Sequence, residues 1–380
     1  MKRIFQVTFS LVIIVAFTFC TNQEPSPGFE PELISIDVDD KTRDHLKVDI
    51  VKVIPLETSE QCLIGFTGKV KIYNDRIYFL NNLRFKQPDL FVFDIEGNFI
   101  NKTIHGRGPG EVIEPFAFAI NSEDNTVLMH DQATGYNHIF DLELNFIRTL
   151  KHDRVLIMDL LHVEKDTYLV YNFSVNRDYK GQGYEYVNYH IYSDDFNNHK
   201  PLKIKLYGDK VPTTMTSPFS IWENEILFAA PYNYNIYQLL GDSIQIRYTL
   251  DFGKHGFSQD ELRDLAFMEM RAQVMEGKKI GSIPGFLRTR DFMVFTTYWN
   301  QKPLIFMKSL KKDKIYCLND SVDEELMSLF SIRGVMDDGT FYSVMEASSL
   351  MEKQDLHEKL RISQIDENDN PYLILFKIHK

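Results

Sequence analysis

A short polar turn followed by a run of aromatic and aliphatic residues recurs six times along this chain, and no other feature restricts its fold as much. The six are NDRIYFL (residues 74–80), SEDNTVLMH (122–130), EKDTYLVYNF (164–173), WENEILFAA (222–230), RTRDFMVFTTY (288–298) and MDDGTFYSVM (336–345). Each holds several strand-forming residues bounded by turn formers, the pattern of a β-strand. A loop and a second run follow each: DLFVFD (89–94), NHIFDL (137–142), VNYHIYS (187–193), NIYQLL (235–240), PLIFMKS (303–309) and PYLILFKI (371–378). The first five then turn into a further strand, as in IEGNFINKTI, where Gly97 suits a hairpin because glycine tolerates positive φ. The sixth runs to the chain end with nothing after it.

A partner for it lies at the other end. Val48–Leu56 (VDIVKVIPL) is a strand with no hairpin of its own. Placed as the outer strand of the sixth unit, it closes six four-stranded sheets into an all-β, six-bladed β-propeller over residues 45–380. Closure also removes exposed strand edges. The units are spaced irregularly, by roughly 40–65 residues, against about 40–45 for compact blades. The competing architectures are a β-sandwich or two small β-domains. A sandwich seldom needs about 24 strands, and no low-complexity stretch separates two halves.

Two segments break the β rhythm and read as helical loop insertions. Ser258–Lys278 has a capping box from Ser258 to Glu261, with Leu262, Ala266, Met270 and Val274 as its buried stripe. Residues 348–361 form a weaker second helix.

The N-terminus carries Lys2 and Arg3, the apolar run Ile4–Phe19 and then Cys20. This describes an export signal over residues 1–19, lipidation at Cys20 and a flexible tether over 20–44. Phe19 departs from the small residue preferred before a lipidated cysteine; an uncleaved anchor and ordinary secretion are the alternatives. Removing residues 1–19 takes away two cations and no acid, moving the formal charge from −12 to −14. So acidic a chain repels phosphate backbones, which excludes nucleic acid as a partner class. Cys62 and Cys317 remain and read as buried free thiols, not a disulfide framework.

In an antiparallel blade with strands a to d, the a–b and c–d turns lie on one face of the disc. The b–c loops and the connections to the next blade lie on the other. Here the first class is short and the second long, so the long connections gather on one face. The glycine-rich HGRGPGE (105–111) is a crossing of this kind, since a strand follows it where a phosphate loop would feed a helix. The long-loop face also collects aromatics, amides and charges. Its candidate ligand-binding residues are Arg107, Asp131, Tyr136, Arg177, Tyr232, Tyr234, Trp299 and Asn300. Aromatic planes beside amides suit sugar rings, and tyrosine, tryptophan and arginine suit protein interfaces.

Catalytic signatures are missing: no HExxH, GxSxG or Walker sequence occurs. His130 and His138 flank one loop without further ligands, and DENDN (366–370) lacks the glycine and closing glutamate of a calcium loop. No cofactor or metal is expected.

The VIPLET continuation of Lys52–Leu56, the GRGPGEVIEPFAFAI segment and the DNPYLILFKI terminus together resemble the six-bladed β-propeller lipoproteins of Bacteroidetes-type bacteria, over residues 45–380. The chain is more distantly similar to NHL-repeat propellers. The resemblance implies export, a lipid anchor and a binding or scaffold role, and supplies no catalytic residues. The expectation is an envelope protein, outer-membrane and either periplasmic or surface-exposed, that recognises a glycan, peptide or protein partner on its long-loop face. A propeller hydrolase or lyase is the alternative.

Overall fold

The computed structural model describes residues 30–39, 45–65, 68–81, 88–152, 156–165, 167–172, 189–204, 218–230, 233–360, 362 and 364–379. Six sheets carry the fold, their antiparallel strands paired in chain order from the inside of the ring outwards except for the outer strand of the sixth. Blades 1 to 5 occupy residues 69–102, 115–150, 157–201, 219–251 and 285–317. Blade 6 takes Ile332–Val335, Phe341–Met345 and Tyr372–His379 from one end of the chain and Lys47–Pro55 from the other. Val48 lies opposite Ile378 and Pro55 opposite Tyr372. The chain ends therefore share one sheet, and the ring is a six-bladed β-propeller, as the sequence predicts.

The apolar runs are continuous, not alternating, because each blade is buried on both faces. Period two sends successive residues to opposite neighbours. In Arg76–Asn81, Ile77 and Phe79 pack towards blade 6, while Tyr78 and Leu80 pack towards blade 2. In Thr167–Asn172, Tyr168 and Val170 face blade 2, and Leu169 and Tyr171 face blade 4. The core is thus a series of clusters between adjacent blades. Polar links cross the same seams: the Tyr78 hydroxyl donates to Leu142 O at 2.8 Å, and that of Tyr189 to Ala229 O at 2.6 Å.

The structure departs from the sequence reading at several places. Glu32–Ser35, inside the segment assigned as tether, is a fifth strand on blade 4, parallel to Ser243–Asp251. Ser258–Lys278 is not one helix but two, α1 (Gln259–Asp264) and α2 (Phe267–Met275). The Ser258–Glu261 capping box is present, but Leu265 and Ala266 are extended. The Glu269 carboxylate accepts from the Ala266 N–H at 2.8 Å and starts a new helix there. Ala266 is consequently exposed and outside the buried stripe. Residues 348–361 likewise divide, into Ala347–Met351 and Gln354–Leu360. Cys62 is buried, whereas Cys317 is only half-buried.

His130 sits fully buried in blade 2, its Nδ1 2.8 Å from Asn137 Oδ1. Burial pushes its pKa from 6.5 down to about 4, with the Asn137 bond opposing. The unfolded chain takes up this proton below pH 6.5 while the fold refuses it until about 4. Stability is therefore lost as pH falls through that window and levels off beneath it. The loss should approach roughly 3 kcal/mol. Urea titrations at pH 7 and 4.5 are expected to show a smaller acid loss for His130→Gln than for the parent; equal losses would refute the assignment.

Candidate functional site

The glycine-rich loop closes on itself. Ile104–His105 pairs in parallel with Glu111–Val112, and the Gly108 N–H donates to Glu111 Oε2 at 2.7 Å. A Cβ on Gly106 would lie 1.9 Å from that oxygen, and one on Gly110, at φ +80°, would lie 2.5 Å from the Phe146 ring. The place an anion would take is filled by the loop's own carboxylate. Arg107 projects from it, exposed.

Several other long-loop candidates serve the scaffold. Asp131, 1% exposed, accepts backbone N–H bonds from Ile113, Glu114 and Ala133 at 3.0–3.2 Å. The Tyr234 hydroxyl donates to Ile280 O and accepts from Phe257 N, tying the helical insertion to blade 4. Trp299 Nε1 donates to Gly277 O at 2.6 Å, and its ring meets His255 edge-on. Asn300 and Gln301, at φ 48° and 65°, form a two-residue hairpin turn, so this b–c connection is short where a long one was expected. The b–c connection of blade 2 is also short, at residues 132–135. Tyr136 is half-buried under the Lys151 ammonium, 5.8 Å from its ring centre. Arg177 and Tyr232 lie outside the described residues.

Beside α1 and α2 a mainly apolar pocket of about 330 Å³ is lined by Phe257, Leu262, Met270 and Tyr298, with Arg271 and Gln301 also in its wall. A much larger cavity, about 1070 Å³, follows the propeller axis, and all six blades contribute to its lining. At one end stand residues of the a–b turns, with Glu123, Glu164, Glu223 and Asp337 exposed. Trp222 and Tyr73, both half-buried, offer aromatic surface at the same level.

Deeper in, the charge reverses. Lys69 and Lys71 alternate on the inner strand Lys69–Tyr73 and reach across to blades 2 and 3. Lys69 Nζ lies 3.1 Å from Asp159 Oδ1 and also donates to Met158 O. Lys71 Nζ donates to Phe118 O at 3.0 Å and Leu160 O at 3.4 Å. Burial pushes the Lys71 pKa below the usual lysine range and the Lys69 charge adds to this, with Asp159 opposing.

Arg333 completes the set. It lies between the paired positions Ile332↔Ser343 and Gly334↔Tyr342, as the extra residue of a β-bulge, a device that re-aims a side chain. Its Nε is buried without a hydrogen-bond partner among the described residues. Burial lowers its pKa, opposed by the Glu346 charge. Gly334 makes the arrangement possible, since a Cβ there would lie 2.1 Å from the Tyr342 hydroxyl.

Sequence reasoning missed Lys69, Lys71, Asp159, Trp222 and Arg333. The available signal was KVKIY, an inner strand that puts two lysines on one face. Among the described residues no group of His, Cys, Asp or Glu is arranged to hold a metal ion. No helix among them is long and apolar enough to cross a membrane.

The fold is similar to that of a protein of Bacteroides fragilis described as exported, at 17% identity, covering 92% of this chain and 100% of that one with a TM-score of 0.71. It is also similar to a DUF4221-family member of Bacteroides vulgatus, at 11% identity, covering 88% and 99% with a TM-score of 0.54. No curated protein matches this chain. A family model described as a domain of unknown function, DUF4934, matches residues 33–377, and the chain, a six-bladed propeller from inner strand to shared closing blade, belongs to that family.

Proposed function

We propose that this is an exported, envelope-anchored binding propeller, attached through a lipid on Cys20, that captures its ligand in the axial cavity. One observation carries the reading: a cavity of about 1070 Å³ into which all six blades place residues. That volume lies just above the roughly 300–1,000 Å³ of small-ligand sites. Its wall combines aromatic faces with charged groups, whereas Asp131, Tyr234 and Trp299 on the opposite face are occupied by internal bonds. The ligand classes that fit are a glycan, a peptide or an exposed segment of an envelope protein.

The hydrolase or lyase reading draws on Asp159 in the same cavity, but Lys69 holds that carboxylate in an ion pair. Binding without turnover is the simpler use of such a site.

Trp222→Ala should lower capture of glycan-array or peptide-array ligands at least tenfold while the unfolding temperature moves by only a few degrees. Tyr136→Ala, on the other face, should leave capture unchanged. Loss of capture with Tyr136→Ala, and none with Trp222→Ala, would move the site back to the long-loop face.

A further inference from the structure

The axial cavity is polarised along its length, and this restricts what fits it. Among the described residues, the a–b turns at its mouth carry Asp75, Glu123, Asp124, Glu223, Asp291, Asp337 and Asp338, with Glu164 at a strand end beside them, against Lys165 and Arg290. A polyanion meets repulsion there, and a cation attraction. Behind this ring the lining holds Lys69, Lys71 and Arg333 with Asp159 as their counter-charge, and Glu346 acts on Arg333 from outside the lining. Three cations thus face two carboxylates, which leaves one positive charge over.

The three cations are not equivalent. Lys69 is engaged by Asp159 and Met158 O, and Lys71 by two backbone carbonyls. Arg333 is carried on a bulge, and its Nε lacks a partner among the described residues. A guanidinium presents a planar fork that matches a carboxylate in two parallel hydrogen bonds. Resting on the axial-cavity reading, we propose that the cavity takes a peptide by its free C-terminal carboxylate, docked on Arg333, with a lysine or arginine just upstream meeting the acidic ring. Arg333 lies two residues of strand below the a–b turn, roughly 7 Å, which an extended peptide spans in two to three residues. The charge order disfavours an acidic polysaccharide, which places negative charge at both levels.

The test uses two pools of synthetic hexapeptides, lysine fixed at the third position from the C-terminus and the others randomised. One pool ends in a carboxylate and the other in an amide. Immobilised protein should enrich the first pool and not the second. Amidating a recovered peptide should weaken its binding at least tenfold by calorimetry. Arg333→Met should produce the same loss, and Arg333→Lys should restore part of it. The amide comparison on the unaltered protein needs no variant to fold. Equal retention of both pools overturns the proposal, as does full binding by Arg333→Met; if Trp222→Ala still abolishes that binding, the cavity reading survives alone. The proposal also falls, and the cavity reading again stands without it, if neither pool is retained while tri-galacturonate binds in a Trp222-dependent way. Absence of any Trp222-dependent binding overturns both.

Discussion

Replacing Ile374 with aspartate is expected to leave little or no folded protein. Ile374 is the centre of the closing blade, paired with Val53 on one side and Ser343 on the other, and is fully buried. A carboxylate there would sit among buried apolar side chains, and the apolar contacts between blades 5 and 6 are lost with it. Such a change costs several kcal/mol, comparable with the whole stability of about 5–15 kcal/mol of a domain. Val51 is the control. It lies in the same outer strand as the extra residue of a bulge and is 54% exposed, so Val51→Asp should fold normally. Denaturant titration of both variants checks this. An Ile374→Asp protein with a parental midpoint would show that the ring is not closed by that pair of strands.

The second large effect is expected at Asn370, two residues before the strand Tyr372–His379 and 1% exposed. Its side-chain amide donates to Glu57 O and Cys62 O, and its Oδ1 accepts from Ile64 N at 2.7 Å. One side chain therefore satisfies three backbone groups of the chain that runs from the closing strand to blade 1. Asn370→Ala strands them, at about 1–3 kcal/mol each, so a loss of at least roughly 3 kcal/mol is expected. Asn370→Asp keeps the acceptor, places two carbonyls against a carboxylate and should not rescue. Chemical denaturation measures both; a loss under about 1 kcal/mol would mean that water replaces these bonds readily.

These two positions also show what can be read from the sequence and what cannot. The middle strands of each blade are legible because burial on both faces makes them continuous apolar runs, as in RIYFL and TYLVYN. Closure is legible because Lys47–Pro55 has no hairpin of its own, while Tyr372–His379 pairs locally on one side only, with Phe341–Met345. Asn370 reads only as part of a polar turn, since its partners lie about three hundred positions away in sequence. Glu32–Ser35 is hidden for a similar reason: ELIS pairs through its backbone at a sheet edge, with Leu33 exposed and only Ile34 buried. The break before α2 depends on a carboxylate reaching back to Ala266, a residue with no capping group of its own. Aromatic residues mark the long-loop face in sequence, yet the fold uses Tyr234 and Trp299 to fasten an insertion. Arg333 acquires its position from a register shift, and no local composition encodes a register.

The chain contains two tryptophans, and they mark the two competing sites. Trp222 lines the axial cavity, while Trp299 anchors the helical insertion beside blade 5. Protein labelled with 5-fluorotryptophan should give two fluorine resonances, assigned by Trp222→Phe. Titrating in a free-carboxylate hexapeptide recovered from the pool is predicted to shift the Trp222 signal and leave that of Trp299 in place. A saturable shift of Trp299 with Trp222 unmoved would contradict the axial site.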